Sequence, residues 1–189
     1  IAEVFPHLLG LDLPAMISVD DIDWPTADVD VVFCGLPHGT TQNIVRKILT
    51  ENDRIRVVDL SADFRLDDPA VYAEWYGHEH YAPEIQPLAV YGLPEFYRGG
   101  IRSSRLVANP GCYPTAALLG LVPLAAAGQV DVADVIIDAK SGVSGAGRGL
   151  KENLLFCEVG EGIHPYAVGT HRHAPEIEQE IAKAAGGAD

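Results

Sequence analysis

Positive charge is scarce in this chain. Its 189 residues carry 13 Lys plus Arg against 27 Asp plus Glu, a formal net charge of −14. Neutralising a polyanion needs clustered Lys and Arg, and none cluster here, so no nucleic-acid partner is expected. Long apolar runs are missing as well. No stretch approaches the roughly 20 residues that span a bilayer, so no membrane partner is expected either. The N-terminal residues show neither a basic region nor a signal-like apolar segment, which argues against secretion. Cysteine is rare, and Cys34, Cys112 and Cys157 have no CxxC spacing. An odd, scattered set suits neither a disulfide framework nor a thiolate zinc site, and a reducing cytoplasm is the expected setting. Repeats and low-complexity segments are absent too. What is present, 48% apolar and 21% charged residues, is ordinary globular material, sized for one large domain or two small ones.

The pattern along the chain predicts an α/β fold. Asp28 to Cys34 is a run of β-branched and aromatic residues ending at Gly35-Leu36-Pro37-His38-Gly39. A helical stretch follows with Ile44, Val45, Ile48 and Leu49 on one face, then a second strand from Ile55 to Leu60. Strand, glycine-rich turn, helix and strand in some 30 residues is a βαβ unit, which predicts a parallel sheet. Working residues sit at the carboxyl ends of such strands, which puts Gly35 to Thr41 and Ser61 to Arg65 on one rim. Residues 66 to 104 read as loop-rich, with no sustained period. A short strand is expected at Arg105 to Ala108, and Pro110-Gly111 suits a type II turn. The apolar segment from Thr115 predicts a buried helix, broken or kinked at Pro123 and closed by Gly128. Val135 to Lys140 reads as a further strand, feeding Ser141 to Gly149. A last helix is expected at Pro175 to Ala185, with Ile177, Ile181 and Ala184 on one face. A domain change is expected near residues 109 to 115.

Cys112 is the sharpest chemical candidate. It lies where a strand ends and a helix begins, and a helix start offers unpaired N–H groups and a favourable dipole to a thiolate. Gly111 beside it removes a side chain and lets a substrate come close. The competing reading is an inert buried thiol, which is the reading taken for Cys34 and Cys157. His171 and His173 are two apart, so on an extended chain both rings face one side. A neutral imidazole just before a helix start can serve as a base. His-x-His is also half of a common metal site, but no third ligand stands at a recognised spacing. His78 and His80 read as surface or substrate-side structure. Ser141 to Gly149 carries four glycines and can wrap a phosphate or a flat ring with its amides. Arg148 and Arg172 are noteworthy because an anionic substrate of so acidic a protein needs local cations.

Six stretches, GLPHGTT (35–41), DLSADFRL (59–66), YGLPEFYR (91–98), NPGCYPTA (109–116), SGVSGAGR (141–148) and HRHAPEIEQE (171–180), occur in this order. Together they resemble the N-acetyl-gamma-glutamyl-phosphate reductase family, relatives of aspartate-semialdehyde dehydrogenase. The resemblance implies NADPH-dependent reduction of an acyl phosphate to a semialdehyde, with Cys112 as nucleophile and thioester carrier. It assigns proton handling to one of the paired histidines, His173 in preference to His171. It sets Ser141, Gly142, Ser144 and Gly145 against the nicotinamide, and Gly35, Pro37, His38 and Gly39 along the dinucleotide. Asn109, Arg148, Arg172 and Glu176 are the candidate substrate contacts.

The family also opens with a strand and a GxxGxxG phosphate loop, and nothing of that kind precedes Val31. The chain therefore reads as an internal piece: a truncated Rossmann-like parallel sheet joined to part of an α+β catalytic and dimerisation domain. Residues 1–112 would be a partial dinucleotide-binding domain and 113–189 a partial catalytic domain, from a protein that forms a homo-oligomer. Aminoadipyl- or aspartyl-phosphate reduction, a non-catalytic Rossmann-like binding module, and a metal hydrolase using the histidine pair are the alternatives.

Overall fold

Four short apolar runs make the sheet in the computed structural model, which describes residues 3–186. Ile1, Ala2 and Gly187 to Asp189, the outer ends of the two expected domains, lie outside the described residues. The strands are β1 (Val31–Cys34), β2 (Arg56–Asp59), β3 (Ala89–Tyr91) and β4 (Leu106–Ala108). All pair in parallel, in the order β1-β2-β4-β3. The register aligns Cys34 with Asp59, Asp59 with Ala108, and Ala108 with Tyr91. One row of residues therefore ends all four strands, and four connecting loops leave from a single rim.

Helices α1 (Thr41–Glu51), α2 (Pro69–Tyr76), α3 (Pro94–Ser103), α4 (Cys112–Ala126), α5 (Phe156–Val159) and α6 (Ala174–Gly186) complete the described structure together with short 3₁₀ turns. Val45 and Ile48 of α1 are fully buried with Ile55, Val57, Phe64 and Leu106 in one core. A second core joins the β3 edge to α4 and α6 through Tyr91, Leu93, Leu118 and Ile181. Ile177 and Ala184 pack on it beside Ile181, so the apolar face expected of the last helix does the docking.

Several expectations fail for identifiable reasons. Residues 66 to 104 hold α2, β3 and α3 rather than loop. Helix α2 is only 8 residues long, too short to show a period, but Asp68 caps it, Pro69 opens it and Gly77 closes it at φ 78°. Helix α3 contains two glycines and is poor in intrinsic propensity; Phe96 and Tyr97 hold it against the second core. Helix α4 begins at Cys112, not Thr115, and runs unbroken through Pro123. The proline lies one turn from the helix end, where few further bonds remain to be disrupted. Gly128 closes the helix at φ 63°, as expected. The helix is not buried all round: Leu118 and Ala125 face the core, while Leu119 and Leu124 are exposed. Val135 to Lys140 is not a strand, because no described strand lies alongside to satisfy its ladder. Gly111 is not in a type II turn; its φ of −66° is that of an extended residue preceding a helix.

Leu106, fully buried in the central strand β4, tests this core. Leu106→Ala is expected to cost about 2–5 kcal/mol in urea unfolding; a loss below about 1 kcal/mol would contradict the packing.

Candidate active site

The loops after β1 and β2 are tied together by one carboxylate. Asp63 accepts the Gly39 amide at 2.7 Å, the Thr41 amide at 3.3 Å, the Thr41 hydroxyl at 2.7 Å and the Tyr72 hydroxyl at 3.0 Å. The N-terminus of α1, an anion site by dipole and free N–H groups, is thus filled by the protein's own acid. Asp59 anchors Ser61 through its amide and hydroxyl, and the Ser61 and Thr41 hydroxyls meet at 2.7 Å. Burial pushes the Asp59 carboxyl up to about 6 and the neighbouring Cys34 thiol up to about 12. Gly35, Pro37 and His38 stay exposed on the rim, with His38 Nδ1 accepting the Ala62 amide at 2.9 Å. His80, expected at the surface or substrate side, is buried, its ring bonded to the Asp63 carbonyl and the Ala82 amide.

The loop after β4 carries the nucleophile candidate. Cys112 is the first residue of α4 and is exposed, whereas Cys34 is buried. Cys157, expected in the core, is exposed instead, because it sits on the single turn α5 with no core packed over it. The space that Gly111 leaves open is filled by an imidazole: a Cβ there would lie 2.5 Å from His173 Nε2. The glycine is needed for the approach of a side chain, and His173 consequently lies against the residue preceding Cys112.

The two histidines differ in their surroundings. His171 Nδ1 accepts the His173 amide at 3.1 Å, so a neutral ring carries its proton on Nε2 and donates to the Tyr166 hydroxyl at 3.3 Å. Tyr166 in turn donates to Tyr113 at 3.0 Å. Both nitrogens of His171 are thereby engaged. His173 Nδ1 is buried without a hydrogen-bond partner. Desolvation, with smaller contributions from His171, Arg65 and His38, pulls its pKa down to about 4.

Glu176 does not open on a substrate space. It is 1% exposed, and its carboxylate accepts the Tyr91 hydroxyl at 2.7 Å, the Gly111 amide at 2.9 Å and Arg65 at 3.4 Å. Burial raises its pKa, opposed first by the Arg65 charge. Asn109 is half-buried, its carbonyl taking Arg65 Nε at 2.7 Å. Arg172 stacks over Tyr76 at 5.1 Å, and its charge reaches His38 on the rim. Ser141, Gly142, Ser144 and Gly145 form an exposed turn that, among the described residues, hydrogen-bonds within itself. Arg148 from the same loop lies over Phe5 at 4.5 Å. Neither this turn nor Arg148 is joined by a described hydrogen bond to Cys112 or the histidines. Sequence reasoning missed Asp63, Arg65 and Tyr91 as organisers of the rim; the signal for them was their place at or just after strand ends.

Residues 5–104 match the family described as semialdehyde dehydrogenase, NAD binding domain, more than half of the chain. The chain belongs to the semialdehyde dehydrogenase family. Residues 112–189 match its dimerisation domain. Among curated relatives, N-acetyl-gamma-glutamyl-phosphate reductase of Rhodospirillum rubrum is 59% identical over 98% of this chain and 53% of its own length. The protein of that name from Afipia carboxidovorans is 55% identical over 97% of this chain and 52% of its own. A probable chloroplastic one from Oryza sativa subsp. japonica is 59% identical over 96% and 43% respectively. The chain thus spans about half the length of these relatives. Among the described residues no helix is long and apolar enough to cross a membrane.

A histidine held near pKa 4 in the fold against 6.5 when unfolded binds its proton in the unfolded state first. Stability attributable to His173 is therefore complete above pH 6.5 and falls as the pH drops toward 4. Urea unfolding as a function of pH is expected to show a shallower loss across this interval in His173→Asn than in the parent protein. Equal slopes would contradict the desolvated, neutral ring.

Proposed function

We propose that this protein reduces N-acetyl-L-glutamyl 5-phosphate to N-acetyl-L-glutamate 5-semialdehyde with NADPH, in arginine biosynthesis, through a thioester on Cys112. The observation that carries the reading is the exposed Cys112 at the start of a 15-residue helix with His173 seated on the adjoining glycine. The names of the relatives support the substrate. The two domains proceed from this reading as residues 1–112 for the dinucleotide and 113–189 for catalysis.

The Cys112 sulfur attacks the acyl carbon, the carbon–oxygen bond to phosphate breaks, and inorganic phosphate leaves. A thiolate is both a good nucleophile and a good leaving group, so it suits both halves of the reaction. Amides at the start of α4 are available to an oxyanion on that carbon. A nicotinamide cofactor, when bound, supplies the hydride that takes the thioester to the aldehyde level. His173 takes the Cys112 thiol proton as the sulfur attacks and gives it to the oxygen of the reduced carbon. It takes the proton back as the carbon–sulfur bond breaks, the aldehyde departs and the thiolate is restored. Its Nε2 lies against Gly111 and makes no described hydrogen bond, whereas both nitrogens of His171 are engaged, which supports this choice.

The residues present fit only part of a dinucleotide. Asp63 fills the α1 N-terminus, so Gly39 and Thr41 have no amides left for a pyrophosphate, and a carboxylate there repels one. Exposed Gly35, Pro37 and His38 would hold a section without phosphate such as the nicotinamide and its ribose, with Ser141, Gly142, Ser144 and Gly145 covering it. Arg172, on the rim, would meet the substrate phosphate, with Asn109 and Arg148 as further contacts. Preference for NADPH over NADH belongs to the proposal, as do cytoplasmic residence and a homo-oligomer. The matched dimerisation region exposes Ile136, Leu150, Phe156 and Ile163, apolar surface that suits burial against a second copy.

In the full-length protein, semialdehyde, phosphate and NADP are expected to generate reduced nicotinamide, read by its absorbance. Cys112→Ser should abolish this while leaving the fold intact; substantial residual turnover overturns covalent catalysis. Replacing His173 is expected to slow turnover more than replacing His171, and the opposite ranking contradicts the assignment. Iodoacetamide should modify Cys112 faster than exposed Cys157 and leave Cys34 untouched.

A further inference from the structure

Glu176 is a buried acid without an evident catalytic task, and its partners come from three places. Tyr91 ends β3, Arg65 lies in the loop after β2, and Gly111 directly precedes Cys112. Arg65 makes two further bonds, to the carbonyls of Asn109 at 2.7 Å and Leu60 at 3.2 Å. The turn that delivers Cys112 is therefore gripped on both sides, its carbonyl by Arg65 and its amide by Glu176. The two grips are joined to each other by the Arg65–Glu176 ion pair, both side chains no more than 6% exposed. Glu176 also lies three residues after His173, so both stand at the start of α6, His173 immediately before its first turn. The segment that opens α6 thus sets the imidazole on Gly111 and binds the amide of that same glycine.

We infer that Glu176 is a positioning residue that fixes the separation of Cys112 from His173, rather than a substrate contact. This deepens the proposed function and rests on its assignment of Cys112 and His173. The carboxylate is buried and bonded to three protein donors, so neither oxygen faces a ligand. Any slide of α6 relative to α4 must break the bond to Gly111 before the imidazole can leave that glycine. A carboxamide cannot serve both sides. With its oxygen on Gly111 and Tyr91, its NH₂ group faces Arg65, donor against donor.

The test uses the full-length protein with Glu176→Gln, His173→Asn, the double variant and Tyr91→Phe. Iodoacetamide modification of Cys112 is expected to slow about tenfold in Glu176→Gln. It should slow by a similar factor in His173→Asn, with no further slowing in the double variant, because one geometry is lost only once. kcat should fall on the order of a hundredfold while KM holds. Tyr91→Phe, which keeps the Gly111 bond, should behave nearly like the parent. A Glu176→Gln protein with a lower urea midpoint but unchanged alkylation and kcat would overturn the inference, leaving a purely structural acid. So would an additive double variant, or a raised KM with normal kcat, the signature of a substrate contact. Failure of the underlying reading is seen separately, as turnover that survives Cys112→Ser.

Discussion

The ion pair between Arg65 and Glu176 joins the loop after β2 to the helix that directly follows the histidines, and the site depends on that join. Removing two charges from water is costly, and the attraction between them repays it only when their remaining hydrogen-bonding capacity is satisfied. Here it is: Arg65 also serves two carbonyls, and Glu176 also accepts a hydroxyl and an amide. Around it, Gln179 binds the amide of Asp67 and the carbonyl of Arg65, and Lys183 bridges Asp67 and Glu180. The apolar face of α6 supplies adhesion, but these polar contacts select one register. A helix held only by Ile177, Ile181 and Ala184 has no comparable reason to stop where His173 meets Gly111.

A second carboxylate, Asp63, imposes the complementary constraint. By capping α1 it orders the Gly35–Gly39 turn and withdraws that helix start from phosphate binding. Two neighbouring helix N-termini on one rim are thereby given different fates. That of α1 is neutralised by the protein. That of α4 has its first amide taken by Glu176 through Gly111, and the next residue is the exposed cysteine. The acidic surplus of the chain is used locally to organise the rim.

The βαβ unit was legible because its apolar spacing and glycine-rich turn are strong local signals, and β1, α1 and β2 lie where that spacing put them. Helix α6 was legible for the same reason. Helices α2 and α3 were not, because α2 rests on a cap, α3 on the packing of its own Phe96 and Tyr97, and both on an opening proline, rather than on a period. The strand expected at Val135 to Lys140 illustrates the converse: β-branched residues favour a strand only when a partner strand is present. At the site, Cys112 and the histidine pair stood out by residue type and position. Glu176 was singled out as a substrate contact, since an acid in a first helical turn looks solvent-facing until Arg65, Tyr91 and Gly111 are brought to it from far along the chain and bury it. Gly111 was explained by the wrong geometry for the same reason, as the ring filling its space is 62 residues away in sequence.

The central claim is that the Cys112 sulfur carries the acyl group. Mixing the full-length protein with N-acetyl-glutamyl phosphate in the absence of any nicotinamide, and mapping the products by mass spectrometry, tests it directly. The account predicts release of one phosphate per acylated protein and a mass increase of one N-acetyl-glutamyl group on the peptide containing Cys112. Phosphate release without an adduct, or an adduct on another residue, would contradict it.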